Sequence, residues 1–261
     1  MPDRILWFDL DETLLYEEAS ISAAFRVAGA WVAARCPAVT AEAFHQAVRP
    51  LASRAWHARA DYPYFQAIGG SSWEALVADF LGDHPALVRA RADAPSWRAA
   101  VWSEALAACG VPPDADLAAA VATAYAAARA VRHHPFPEAA TVLATLGARH
   151  PLGLLTNGLS CHQRSKLAGS GLSAHFRAVL VSGDLGAGKP DARLFARAAE
   201  LLPGTAERWI IGDNLVNDIA GGAAAGWRTV WLNRTGAPPS LDLRADFTIA
   251  TLTELPPLLP P

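Results

Sequence analysis

Residues 4–16, RILWFDLDETLLY, set the terms on which the rest of the chain is read. Ile5 to Phe8 are uniformly apolar, the pattern of a strand buried on both faces. The run ends at Asp9, and Asp11 follows after a single leucine. Two carboxylates this close repel by about 1 kcal/mol in water and several times more at a protein-like dielectric. A buried strand predicted over 4–9 that ends on such a pair needs positive charge from elsewhere in the chain.

The composition limits where that charge comes from. The chain has 261 residues, a formal net charge of −3, 52% hydrophobic residues and 18% charged residues. It is globular rather than disordered, and without a basic field it is not built to grip a nucleic acid polymer. Of 22 Lys and Arg residues, only Lys166 and Lys189 are lysine. In a sequence that favours arginine, lysine is expected where a compact ammonium suits better than a planar fork. Cys36, Cys109 and Cys161 form no CxxC pair, so neither a disulfide framework nor a zinc ribbon is indicated. MPDRILWFDLDE lacks the basic-then-apolar layout of a signal peptide. The longest uncharged alanine-rich run, 117–128, is too short to span a bilayer. A cytoplasmic location without membrane contact is expected.

Working outward from the first strand, residues 17–132 carry helical periodicity almost throughout. Examples are EEASISAAFRVAGAWVAARC, TAEAFHQAVRPLASRAWHARA, SSWEALVADFL, APSWRAAVWSEALAACG and PDADLAAAVATAYAAARAV. Thr40 and Ser72 are expected N-caps. After HHPFPEA, at 133–139, short apolar runs alternate with helices: PLGLLTNG, RAVLVSGDLG, RWIIGDN, RTVWLN and ADFTI. Such alternation predicts an α/β fold, a Rossmann-like parallel sheet with helices on both faces. The first strand finds no strand partner in 17–132, so it pairs with the later ones. The expected organisation is a core of 1–16 and 133–261, with an all-helical domain of 17–132 inserted.

In open parallel sheets, ligands bind beyond the carboxyl ends of the strands. Read that way, Asp9 and Asp11, Thr156-Asn157-Gly158, Lys189, Asp213 and Asp218 gather on one rim. Oxygen ligands around a hard cation suggest Mg2+, which takes carboxylates, waters and substrate phosphate. With the acids neutralised by the cation and by Lys189, an aspartate is free to attack phosphorus.

With these pieces in order, the sequence resembles the haloacid dehalogenase superfamily, in its phosphatase branch with a helical cap after the first motif. The matching pieces are DLDET at 9–13, TNG at 156–158, GAGKPD at 186–191 and GDNLVND at 212–218. The resemblance implies an aspartyl-phosphate mechanism with Asp9 as nucleophile and metal ligand. It implies Asp11 as general acid and then base, its carbonyl also on the metal. Thr156 and Asn157 would hold the phosphoryl group, and Lys189 would balance its charge. Asp213 would ligate Mg2+, and Asp218 would either ligate it or orient Asp213 and Lys189. The implied substrate is a small phosphomonoester: a nucleoside monophosphate, a sugar phosphate or phosphoglycolate. The VWLN ending resembles nucleotide-cleaving members. The enzyme is expected as a monomer or homodimer.

The same residues bear on rival folds and functions. DLDETLLYEE lacks the sixth-position glycine of an EF-hand. GDLGAGK, at 183–189, fits a P-loop until its next residue, Pro190, which has no hydroxyl for a metal. The dehalogenase branch of the same fold lacks the second aspartate, present here as Asp11. A phosphomutase needs a cap that excludes water, and a non-catalytic binding protein would not need every catalytic position filled. Lys166 is expected on a helix surface, His133 and His134 at a domain boundary. Within the aromatic stretch 56–65, Arg59 is a candidate substrate contact, and packing between cap helices is the alternative for that stretch.

Overall fold

The apolar run after Arg4 becomes strand β1 (Arg4–Phe8), with Leu6, Trp7 and Phe8 fully buried. The computed structural model describes residues 4–238 and 242–259. Five further strands follow: β2 (Leu152–Thr156), β3 (Ala178–Val181), β4 (Glu207–Gly212), β5 (Arg228–Leu232) and β6 (Phe247–Ile249). All pairings are parallel, and the order is β3-β2-β1-β4-β5-β6. The order reverses between β1 and β4, the position at which a doubly wound sheet opens a crevice beyond its strand ends. Phe8 is in register with Ile211. Asp9 and Asp213 therefore leave the sheet side by side at that crevice.

The chain divides into two compact units, Met1–Tyr16 with His134–Pro261 and Glu17–His133. The division falls between the two histidines expected at a boundary. Within the first unit, Leu15 pairs with Pro135 in an antiparallel bridge, and Tyr16 N–H donates to the His134 carbonyl.

The second unit is helical throughout its regular structure: α1 (Glu17–Ala33), α2 (Ala41–His57), α3 (Tyr62–Ile68), α4 (Ser72–Ala75), α5 (Pro85–Ala108) and α6 (Ala115–Ala130). Phe25, Phe44, Val48, Trp102 and Tyr125 meet in its core. Thr40 caps α2 by accepting from Ala43 N–H, as its position predicts. The expected cap at Ser72 falls on Ser71 instead, because Glu74 reaches back to the Ser71 N–H and completes a capping box. Helix α5 begins nine residues earlier than its sequence pattern, which started at Ala94. Pro85 at its first turn and the His84 ring accepting from Ala86 N–H supply a start, and Pro95 is carried within the helix.

The first unit adds α7 (Ala139–Gly147), α8 (Ser160–Gly169), α9 (Ser182–Leu185), α10 (Ala192–Leu201), α11 (Gly221–Ala224) and α12 (Leu255–Leu258). Two apolar clusters sandwich the sheet, as alternate side chains of β1 demand. Leu6 and Phe8 join α7 and α12 through Val142, Leu143 and Leu255, and Ile5 and Trp7 join α10 through Leu194 and Phe195. Among the described residues no helix is long and apolar enough to cross a membrane.

One glycine fixes how closely the central strands pack. A Cβ at Gly153 on β2 would lie 2.4 Å from the Trp7 ring on neighbouring β1. Gly153→Ala is expected to destabilise the protein by about 1–3 kcal/mol through overpacking. Urea unfolding measures this, and an unchanged midpoint would show that the indole has room to move.

Candidate active site

Strand β1 ends directly on Asp9, whose backbone N–H donates to the Ile211 carbonyl of β4. The Asp9 side chain is thereby aimed at the rim shared with Asp213, the residue after β4. Carboxylate oxygens of Asp9, Asp213 and Asp218 all lie within 4.8 Å of one another. The Thr13 hydroxyl sits 3.5 Å from both Asp9 and Asp213.

Lys189 supplies the charge that this crowding needs. Its Nζ lies 2.6 Å from Asp9 Oδ1 and 2.6 Å from Asp218 Oδ1, and its side chain is buried. The loop that presents it is clamped at its backbone. Lys189 N–H donates to Asn157 Oδ1 at 2.8 Å, and Asn157 Nδ2 donates to the Lys189 carbonyl at 3.0 Å. The resemblance implies that Asn157 holds a phosphoryl group; in the structure its side-chain amide is engaged by the Lys189 main chain.

Asp218 is fully buried, and its second oxygen accepts from Asn214 N–H at 3.0 Å. The approach is possible because residue 212 is glycine: a Cβ there would lie 2.2 Å from Asp218 Oδ2. Asn214 caps the wide helical turns 215–220 that carry Asp218 inward. With one oxygen on Lys189 and the other on the backbone, Asp218 is placed to orient its neighbours. Asp213 is anchored differently, by Trp231 Nε1 donating to its carbonyl at 2.8 Å.

The acids are electrostatically strained against one another. Burial raises the Asp9 carboxyl well above its ordinary range; Lys189 opposes this, and Asp218, Asp213 and Asp11 reinforce it. Burial and then Asp218 push Asp213 up to about 7, against the pull of Lys189. Burial alone would lower the Lys189 ammonium, but Asp218 and Asp9 outweigh it and hold the group above its usual value. Carboxylates that resist ionising together, all with hard oxygen donors, suit a divalent oxygen-seeking cation.

Around this centre, Thr156 closes β2 with its hydroxyl buried, accepting from Gln163 Nε2 at 2.8 Å. The Gly158 and Gly183 turns pack tightly, Gly183 N–H donating to the Gly158 carbonyl at 3.1 Å. The Asp11 carboxylate turns to α8 and is not in the acidic cluster: Lys166 pairs with Oδ1, and Gln163 donates to Oδ2 at 3.0 Å. Lys166 is thus buried and not a surface residue, and Gln163 was missed altogether. Helix α8 is polar on average, so its sequence did not announce an inward polar face. Only the scarcity of lysine singled out position 166.

Arg59 lies in the helical unit and is used within it. It grips Asp61 with two bonds of 2.8 and 3.0 Å, approaches Asp93 at 3.6 Å and lies near the Trp56 and Trp97 rings. Its side chain is only 9% exposed. This arrangement is the packing alternative left open for the 56–65 stretch.

A sequence model of the haloacid dehalogenase-like hydrolases matches residues 4–226. The chain belongs to that family of enzymes. Over 260 residues it is 36% identical to a phosphoserine phosphatase of Thermus thermophilus, covering 97% of each chain. It is 32% identical over 127 residues to the pyrimidine 5'-nucleotidase YjjG of Escherichia coli, covering 48% of this chain and 56% of that one. Its fold is similar to that of the magnesium-bound HAD-hydrolase YfnB from Bacillus subtilis, with a TM-score of 0.66, 25% identity and 99% of each chain covered. It is similar also to a 2-haloacid dehalogenase from Pseudomonas syringae, with a TM-score of 0.62, 26% identity and 98% and 97% of the two chains covered.

The raised Asp213 carboxyl sets a pH dependence. A carboxyl whose folded pKa lies above its unfolded value stabilises the fold at low pH, and that contribution is lost as the pH rises from about 4 through about 7. Asp213→Asn is therefore expected to raise the melting temperature of the metal-free protein at pH 8 by about 2–4 °C. Mg2+ should stabilise the unsubstituted protein more at pH 8 than at pH 6, because protons compete for the same oxygens. Thermal melts at the two pH values check both, and an equal Mg2+ shift at pH 6 and 8 would contradict the electrostatic account.

Proposed function

We propose that the chain is a Mg2+-dependent phosphomonoesterase of a small metabolite, working in the cytoplasm through an aspartyl phosphate at Asp9. The observation that carries this is the meeting of Asp9, Asp213 and Asp218 within 4.8 Å, with Lys189 shared by two of them. Asp9, Asp213 and the Asp11 carbonyl would hold the cation, with Asp218 orienting Lys189. When bound, Mg2+ supplies charge neutralisation to the acids and to the phosphoryl oxygens.

An Asp9 carboxylate oxygen attacks phosphorus, the bond from phosphorus to the ester oxygen breaks, and Asp11, entering the step in its protonated form, gives that oxygen its proton, releasing an alcohol. Water then attacks the same phosphorus and gives its proton to Asp11. The bond from phosphorus to Asp9 breaks, and inorganic phosphate leaves. Lys189 stays on Asp9 throughout and offsets charge as it accumulates. The buried Thr156 hydroxyl and the backbone N–H groups of the following turn line the phosphoryl side. The helical unit, Glu17–His133, is the cap in this scheme.

Dehalogenation on the same fold is disfavoured by Asp11 and Asp213, acids that carbon–halogen hydrolysis does not call for. The full-length likeness to a phosphoserine phosphatase puts phosphoserine first among substrates to try. Phosphoserine was not among the substrates that the sequence suggested. A nucleoside monophosphate, a sugar phosphate and phosphoglycolate follow.

Phosphate release from this panel tests the proposal. Activity is expected with Mg2+, and EDTA should abolish it until Mg2+ is restored. Asp9→Asn, nearly isosteric, should keep its fold and lose more than about 1,000-fold in kcat. Activity unaffected by EDTA, near-normal turnover by Asp9→Asn, or halide release from a 2-haloacid without cation would overturn it.

A further inference from the structure

The mechanism above uses one of the chain's two lysines. The other, Lys166, is buried on α8, with only 2% of its side chain exposed, and its ammonium pairs with Asp11 Oδ1. Among 22 basic residues, both lysines therefore end on the two aspartates that follow β1. Gln163 lies one helical turn before Lys166, on the same face of α8. Its Nε2 is 3.0 Å from Asp11 Oδ2, 2.8 Å from Thr156 Oγ1 and 2.9 Å from the Asn157 carbonyl. Each Asp11 oxygen thus faces a different donor, while 32% of the side chain stays open.

A carboxylate held by one donor still turns about its last torsion, whose energy well is broad. Two donors, one per oxygen, fix its plane as well as its place. Proton transfer requires an approach of about 2.6–3.2 Å, and a misplacement of about 1 Å costs on the order of 100-fold. Gln163 also ties this carboxylate to the 156–157 segment, so the proton donor and the phosphoryl side share one amide. An arginine fork would not substitute easily for the compact Lys166 ammonium in so enclosed a position.

The geometry points to Lys166 and Gln163 as positioning residues that hold Asp11 for proton transfer to the leaving group. The inference rests on the phosphomonoesterase proposal and extends it to two residues outside the matched motifs.

The test compares kcat/KM on two esters in the presence of Mg2+. One is phosphoserine, an alkyl ester whose leaving group needs a proton. The other is p-nitrophenyl phosphate, whose leaving group departs unaided. Asp11→Asn provides the signature, a much larger loss on the alkyl ester. Lys166→Met should repeat it more weakly, losing about 10- to 100-fold on the alkyl ester and less than about 3-fold on the aryl ester; Gln163→Leu, which also releases the Thr156 hydroxyl, should lose activity on both but about 10-fold more on the alkyl ester. In an Asp11→Asn background, the alkyl-selective loss from either substitution should vanish. If Lys166→Met does not fold, Gln163→Leu and Lys166→Arg carry the comparison.

Equal losses on both esters, no loss, or an undiminished alkyl-selective loss in the Asp11→Asn background would overturn the inference. If the unsubstituted enzyme is inactive on phosphoserine, the comparison uses whichever alkyl ester of the panel it cleaves best. If it hydrolyses no ester, the phosphomonoesterase proposal fails and this inference with it. If it hydrolyses both classes and the variants do not discriminate, the inference alone fails.

Discussion

The ammonium of Lys189 holds together the acids at the end of β1 and beyond β4. Lys189 is shared by Asp9 and Asp218 at equal distances of 2.6 Å, with both acids largely removed from water. Without it, Asp9 and Asp218 would face each other uncompensated, an arrangement that costs a fold several kcal/mol. Its loop is accordingly fixed from two directions, by Asn157 on its peptide groups and by the carboxylates on its tip. Two buried acids and one base still leave negative charge, and Asp213 adds more. That residual charge is the physical argument for a cation.

The sheet order places these groups without any long-range adjustment. Because β1 and β4 lie side by side in register, the residues following each strand meet at the point where the order reverses. Glycine at 212 then admits Asp218 to the same rim. The candidate site is therefore assembled from strand ends, where backbone geometry is firm. The 17–133 segment interrupts the chain between β1 and β2 and leaves the sheet continuous.

Much of this was legible in the sequence, for identifiable reasons. Uninterrupted apolar runs marked β1 and β4, and acids stood immediately after both. Residues 17–132 offer helix period and few strand signals, and the helices α1 to α6 fall within them. What the sequence hid were the partners of polar side chains. Nothing in TNG reveals that the Asn157 side-chain amide matches the Lys189 peptide groups. Lys166 looked solvated because α8 contains few apolar residues, yet its Gln163–Lys166 face turns to Asp11. Arg59 stood out as a lone basic group among aromatics, and only the fold brings Asp93 alongside Asp61 to engage it. Ser71 outcompeted Ser72 as a cap because Glu74 falls three residues after it.

The central claim is that Asp9, poised between Lys189 and a cation, takes the phosphoryl group onto its own oxygen. The most direct measurement is acid quench of the Asp11→Asn protein after mixing with a 32P-labelled phosphomonoester and Mg2+, followed by mapping of the label. The account predicts a hydroxylamine-labile label on the peptide containing Asp9, absent when Asp9 is also replaced by Asn. Hydrolysis by the unsubstituted enzyme with no covalent label in either protein, or label on another residue, would contradict it.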